Sequence, residues 1–399
     1  MRGLSILFFA ALLVVFVAGC SDDDCPTCPK NETPSLDYVG SVACGASGCH
    51  ESKYQMFVES GHPFKLTAVT GNQGPVFPFD DEHLSGGVVS RDGPAPGNAW
   101  SSFAYVVGGY GWKARFIQPD GNVYTTGAQA QLNLWGNGPE WVPYRQGTTT
   151  LYDYSCFKCH TTGASSEGSW PQGTTGFGTF VFGGVQCEQC HGPGAQHASD
   201  PDLFAMRVDP SSDLCGECHT RDPQRRVVVK GGYVDHHEQY DELIHSPHAA
   251  VGCNACHDPH ASVVYDDVAL GSGVTTQCVT CHTGYDTNLN HNGVPECVDC
   301  HMPKTGKSAR VTSNPYVADV GSHTFKIRTD AVGKSAMWTS DGLFLALDEF
   351  GRARITLDFA CYSCHKDDQG VGGEYSQKSL AELSARAQDI HAGTQLTSK

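Results

Sequence analysis

The sequence predicts a mainly irregular and α-helical fold, packed around prosthetic groups, with a small β subdomain. Three observations predict it. The pentapeptide Cys-x-x-Cys-His occurs seven times between residues 156 and 365. Only 39% of the 399 residues are hydrophobic, with 46 Gly and 21 Pro, which is lean for a side-chain core in a chain of this length. One long interval without the pentapeptide, residues 64–150, carries strand and turn signals instead.

The pentapeptide has a mechanical reading. Two cysteines one helical turn apart can form thioethers to the two vinyl groups on one edge of a porphyrin, and the histidine that follows turns its imidazole under the iron. With 19 Cys and 19 His in the chain, chance would give about 0.04 copies. The sites are Cys156, Cys159 and His160; Cys187, Cys190 and His191; Cys215, Cys218 and His219; Cys253, Cys256 and His257; Cys278, Cys281 and His282; Cys297, Cys300 and His301; and Cys361, Cys364 and His365. Zinc sites pair two Cys-x-x-Cys halves and have no need of histidine directly after every second cysteine. A disulfide scaffold would not repeat this pattern seven times. Covalent haem c is therefore the cofactor expected. Six motifs lie between residues 156 and 301, too close for independent globular units, so each haem is expected to pack on the next.

An eighth site is read at Cys44, Cys49 and His50, where four residues separate the cysteines and Gly45 and Gly48 can loop out the excess. The competing reading is a disulfide that precedes a histidine. Upstream, Arg2 precedes an apolar run over residues 4–18, short for a membrane span and typical of a signal-peptide core. It ends Val17-Ala18-Gly19-Cys20, which resembles the bacterial lipoprotein box. Residues 1–19 are thus expected to be removed and Cys20 lipidated, with Ser21 at the position that permits outer-membrane sorting. A polar tether follows over residues 20–37; its Cys25-Pro26-Thr27-Cys28 lacks a histidine and reads as a local disulfide or free thiols. Residues 38–399 form the octahaem domain, with a β-rich insertion at about 76–150. A formal charge of -17 argues against nucleic acid and leaves redox proteins as partners.

Within the insertion, residues 103–107 and 112–117 read as strands, with Pro119-Asp120-Gly121-Asn122 as a turn leading into 123–125. Tyr110, Trp112, Trp135 and Trp141 are expected to cover the first haem. Later, residues 343–347 and 353–357 read as a hairpin turning near Gly351, and residues 379–391 as a helix with Leu380, Leu383 and Ala387 on one stripe.

Eleven histidines lie outside the motifs, enough to give each of eight irons a second ligand. A histidine a few residues beyond a proximal ligand points away from that haem and towards another. The distal candidates are His62, His197, His237, His245, His248, His260, His323 and His391. His83 reads as a surface residue in a Gly-rich loop. His236 and His291 are alternatives to the eight, and Met302 is expected to pack rather than ligate.

These arrangements, with Cys297-Val298-Asp299-Cys300-His301-Met302-Pro303 and Gly321-Ser322-His323-Thr324-Phe325, resemble a family of multihaem cytochromes c. That family groups tetrahaem carriers with octahaem tetrathionate reductase and hydroxylamine oxidoreductase. The lipoprotein start and the Tyr-Gly-Trp stretch ending at Trp112 resemble outer-membrane cytochromes of metal-reducing bacteria. The resemblance implies electron transfer through about eight haems towards an outer-membrane or extracellular acceptor, with other multihaem cytochromes as partners. Its reductases often carry lysine in place of the motif histidine at the catalytic haem, and no Cys-x-x-Cys-Lys occurs here. An octahaem reductase of a small nitrogen or sulfur oxyanion is the second expectation, and the subunit of a conducting filament the third. No catalytic residue is assigned.

Overall fold

Glycine and proline at this density leave few long elements. The computed structural model describes residues 37–78, 89, 93–134, 139–171, 177–263, 272–285, 289–291 and 295–391. The signal peptide, Cys20, Cys25, Cys28, His83 and Trp135 lie outside them. Among the described residues the longest helices, Glu51–Val58 and Leu380–Ala387, have eight residues each. No helix there is long and apolar enough to cross a membrane.

The β subdomain is an antiparallel meander of β1 (Leu66–Ala68), β2 (Tyr105–Tyr110), β3 (Lys113–Ile117), β4 (Gln131–Asn133) and β5 (Glu140–Val142), paired in chain order. Val106 stands opposite Phe116, and Ala114 opposite Leu132. The period of two puts all four on the face that packs on Phe77, Phe103 and Tyr110. The sheet takes β1 from ahead of residue 76. The 118–122 segment turns as its residues dictate: Gly121 sits at φ +84 and the Asp120 carboxylate accepts from the Asn122 N–H at 3.0 Å. Residues 123–125 make only a bridge, Val123 opposite Ile117.

The aromatics of this region serve the sheet itself. Trp141 stacks on Phe116 at 5.8 Å, and Tyr110 lies in the same buried cluster. Trp112 fastens the sheet to the rest of the chain by donating its indole N–H to the Asp319 carbonyl at 3.0 Å.

A second apolar cluster gathers Val227, Val229, Val234, Met337, Leu345, Ile355 and Phe359. The expected hairpin is present only as one bridge, Leu347 with Ala353, while Leu345 bridges Trp338 instead. Its backbone groups are taken elsewhere: the Leu345 N–H bonds the Val227 carbonyl and the Ala353 N–H that of His245. The C-terminal helix starts where Ser379 and Glu382 cap each other's backbone reciprocally, and it ends at Ala387, before His391. Leu383 is buried against Leu357 and Tyr362.

Irregular backbone must still satisfy its N–H groups, and buried carboxylates do much of this. Glu188 accepts from Val39 N at 3.0 Å, Gly40 N at 2.7 Å and Gly194 N at 2.7 Å, so it joins the start of the domain to the turn before His197. Glu242 accepts from Ser322 Oγ at 2.6 Å, His323 N at 3.0 Å and Thr324 Oγ1 at 3.2 Å. Asp319 accepts from Ser308, Ala309 and Arg310 N–H groups.

Candidate haem-binding centres

Each motif places its cysteines and histidine by a short turn. The N–H of His219 bonds the Cys215 carbonyl at 3.0 Å, that of His257 the Cys253 carbonyl at 3.0 Å, and that of His282 the Cys278 carbonyl at 2.9 Å. At the expanded site the His50 N–H bonds the Cys44 carbonyl at 3.1 Å. The longer loop thus closes with the same first-cysteine-to-histidine contact, and Gly48 at φ +86 supplies the turn. Among the described residues no three Cys, His, Asp or Glu side chains converge as a zinc site needs.

The histidines come in facing pairs. An iron bound on both sides by imidazole, with iron–nitrogen bonds of about 2.0 Å and roughly 1.1 Å from nitrogen to ring centre, sets two ring centres about 6 Å apart. Ring centres stand at 6.1 Å for His50 and His197, 6.1 Å for His191 and His260, and 6.4 Å for His219 and His237. They stand at 6.3 Å for His257 and His323, 5.8 Å for His248 and His282, 6.0 Å for His301 and His391, and 6.0 Å for His291 and His365. Seven motif histidines therefore each face a second histidine at the separation a shared iron requires, and the residues present fit the group.

Hydrogen bonds orient these rings. Nδ1 of His191 lies 2.7 Å from the Arg207 carbonyl, that of His197 2.7 Å from Phe204, that of His257 3.1 Å from Gly273 and that of His301 2.7 Å from Phe325. An Nδ1–H donated to a carbonyl fixes the tautomer and leaves Nε2 to bind metal. Burial also holds His237 and His323 in the neutral form that ligation needs, pushing the pKa of His323 down to about 4.

Two distal candidates stand apart. His245 has Nδ1 3.1 Å from the Gly351 carbonyl and Nε2 2.9 Å from the Arg225 carbonyl, so both ring nitrogens are engaged by backbone. His62 is half-buried, bonds the Pro259 backbone, and lies near His219 and His260, each already facing another histidine. His291, an alternative in the sequence, faces His365. Its neighbours Asn292 and Gly293 give no local pattern that would single it out.

His160 is the eighth motif histidine, and among the described residues no histidine faces it at that separation. Its Nδ1 is 2.8 Å from the Tyr152 hydroxyl, whose ring stacks on it at 6.1 Å. Burial, then Lys65, Arg221, Arg115 and His236, push the His160 pKa down to about 3. Lys65 Nζ donates to Tyr110 Oη at 2.6 Å. His236 has Nδ1 2.7 Å from Asp235 Oδ1, while Arg221 Nη2 lies 3.4 Å from its Nε2. Lys113, beside His236, donates to the Ser308 carbonyl at 2.5 Å, and burial pushes its pKa down to about 7.

Cysteines of different motifs also lie side by side. Cys44 contacts Cys187, Cys159 contacts Cys218, and Cys215 contacts Cys253. Cys256 lies within electrostatic reach of Cys281, and Cys300 of Cys364. Tyr285 sits between His282 at 6.0 Å and His391 at 5.2 Å.

A family described as cytochrome c554 and c-prime matches residues 143–192, and one described by a doubled CXXCH motif matches residues 245–287. The multihaem cytochrome MtrA of Shewanella baltica is 29% identical over 135 residues, 30% of this chain and 36% of that protein. The C-type polyhaem cytochrome OmcB of Geobacter sulfurreducens is 27% identical over 194 residues, 44% of this chain and 22% of that protein. The chain therefore spans well under two thirds of either relative. The octahaem sulfite reductase MccA of Wolinella succinogenes superposes with a TM-score of 0.58 at 17% identity, over 92% of this chain and 70% of that one. The outer cell wall cytochrome OcwA superposes with a TM-score of 0.51 at 18% identity, over 88% and 86%. At these identities the likeness to the two structures is one of fold.

Proposed function

We propose that the chain is a multihaem c-type cytochrome that binds eight haems and carries electrons along a line of them, a reading supported by the two family matches and the multihaem relatives. The observation that carries this is the set of seven facing histidine pairs. When bound, haem supplies reversible one-electron chemistry at iron. The chain's own residues do the rest: sixteen cysteines tether, eight motif histidines ligate, and His197, His260, His237, His323, His248, His391 and His291 close the second face of seven irons. Ligation on both faces holds each iron in one geometry through a change of charge, which suits a carrier.

Neighbouring cysteines support an order for the line. It runs from the Cys44–His50 site to Cys187–His191, then, with Cys190 within electrostatic reach of Cys215, to Cys215–His219 and Cys253–His257, and on through Cys278–His282 and Cys297–His301 to Cys361–His365. The Tyr285 ring joins the 282 and 301 centres. The Cys156–His160 site joins as a branch through Cys159 and Cys218. An exported lipoprotein anchored through Cys20, with other multihaem cytochromes as partners and an acceptor at or beyond the outer membrane, completes the reading. The Val17-Ala18-Gly19-Cys20 sequence supports the anchor, and the multihaem relatives support cytochrome partners.

Intact mass and electron paramagnetic resonance (EPR) of the oxidised protein test the core of this. Eight haems are expected, at least seven of them low-spin. A count of seven would remove the Cys44–His50 site, and two or more high-spin irons would overturn the pairing.

A further inference from the structure

Five motif histidines hold Nδ1 against the oxygen of an amide. Those of His191, His257, His301 and His365 face the carbonyls of Arg207, Gly273, Phe325 and Ser376 at 2.7, 3.1, 2.7 and 3.1 Å, and that of His219 faces the side-chain oxygen of Gln239 at 3.3 Å. His160 departs from this pattern. Its Nδ1 stands 2.8 Å from the Tyr152 hydroxyl, with the two rings 6.1 Å apart and within 20° of parallel. Tyr152 is fixed in place: it is buried, its N–H donates to the Gly121 carbonyl, and its ring packs against Phe157 and Trp170.

The kind of acceptor matters, because an axial imidazole passes the effect of its hydrogen bond on to the metal. With Nε2 on the iron, Nδ1 keeps its hydrogen and donates it, so the tyrosine oxygen accepts. An amide oxygen carries a large partial negative charge, whereas a phenol oxygen gives lone-pair density to its ring and accepts more weakly. His160 is therefore the poorer donor of charge to its iron, and the ferric state there loses stabilisation.

The surrounding charges act in the same direction. Lys65, Arg115 and Arg221 lie within electrostatic reach of His160. Their side-chain hydrogen-bond partners are Tyr110, Gln131 and His236, not carboxylates. Asp235, within reach of Arg221, is bonded to His236. Asp153 and Glu217 act on Cys156 and Cys159, but Arg145 opposes the first and Lys158 and Arg221 the second. Cations near the iron stabilise the reduced state, which carries one positive charge fewer.

We infer that the haem held by Cys156, Cys159 and His160 has the highest reduction potential in the chain, that Tyr152 helps to set this potential through His160, and that the centre stores an electron beside the line. In storage the branch iron takes one electron from a line haem and goes from ferric to ferrous, while the donor goes from ferrous to ferric. Cys159 beside Cys218 puts the store next to the His219 centre. The inference rests on haem being bound at Cys156–His160 and goes beyond the carrier reading, since the other seven centres form the line with or without a store.

The test is a potentiometric titration of the full haem-loaded protein, followed by absorbance and EPR. One haem per chain should be reduced ahead of the rest. Tyr152→Phe keeps the ring and removes the acceptor, so the reduction equilibrium constant of that haem should rise about three-fold. Arg221→Gln should lower it about ten-fold, or about 59 mV for one electron, and Lys65→Gln should move it the same way. All other components should stay within about two-fold. Intact mass and the low-spin signals report haem loading and folding, so a missing haem, which strikes the carrier reading, is told apart from a failure of the inference. Unchanged potentials in Tyr152→Phe would overturn the part given to Tyr152. Shifts confined to a component other than the highest, or none in Arg221→Gln and Lys65→Gln, would overturn the electron store.

Discussion

Glu242 touches no cysteine, yet it is placed to decide whether the His257 centre keeps its second ligand. Its carboxylate is 3% exposed and accepts three hydrogen bonds from one short loop, at Ser322 Oγ, His323 N and Thr324 Oγ1. In Glu242→Ala the two hydroxyls can turn to other acceptors, but the buried His323 N–H is orphaned and a cavity opens beside it. One orphaned buried donor costs about 1–3 kcal/mol, and the lost hydroxyl bonds and side-chain packing bring the total to roughly 3–5 kcal/mol. That cost is concentrated in residues 322–324, so local release of the loop competes with global unfolding. His323 should then leave its place 6.3 Å from His257. The assay is EPR of the oxidised variant, with urea denaturation alongside. A new high-spin iron and an earlier denaturation midpoint are expected, and Glu242→Gln, which keeps one acceptor oxygen, should show a smaller effect of both kinds. A Glu242→Ala protein with unchanged spin states and a midpoint within error of wild type would refute the view that this carboxylate positions the ligand.

Two further outcomes are expected. His291→Ala should open the His365 iron and add a high-spin signal, whereas His245→Ala should add none, because both nitrogens of His245 are bonded to carbonyls; the two EPR spectra compare them directly. Cys20→Ala should give a haem-loaded protein that leaves the membrane fraction on cell breakage, and its retention with no partner present would remove the anchor.

How much of this was legible beforehand depends on whether the signal was local. The candidate thioether cysteines are set by a five-residue pattern, and several of the facing histidines by the next few residues. His197 follows His191 and faces His50, and His260 follows His257 and faces His191. Strands β2 and β3 were legible because alternation and the 119–122 turn are local too. His245 shares the His245-Ser246-Pro247-His248 stretch with His248 and looks equivalent in sequence. Only the folded chain shows that the Gly351 and Arg225 carbonyls claim it. His291 and the carboxylates Glu188 and Glu242 escaped for the same reason, since what they touch lies far along the chain. Lys65, Arg221 and His236 carry no motif and become a cluster only through the docking of the sheet beside His160.

The distribution of apolar burial yields a last expectation about what haem does for this fold. The β subdomain has a conventional core, with Val106, Ala114, Phe116, Leu132 and Leu134 wholly buried. From residue 245 to residue 301, by contrast, Ala261 is the one buried hydrophobic residue among those described, and three motifs share that span. Backbone so poor in buried side chains cannot offset its conformational entropy unless the macrocycles are counted as core. A chain produced without haem attachment should therefore be cut first, by a protease of broad specificity, within residues 245–301. The sheet between residues 100 and 134 should persist longer, because its packing owes little to haem. In the loaded protein, seven irons ligated on both faces should remove the difference. Mass spectrometry of the early fragments decides the matter. Cleavage of the sheet before the 245–301 span in the haem-free chain would mean that the loops hold themselves together by hydrogen bonds such as those of Asp258, and that haem is cargo rather than core.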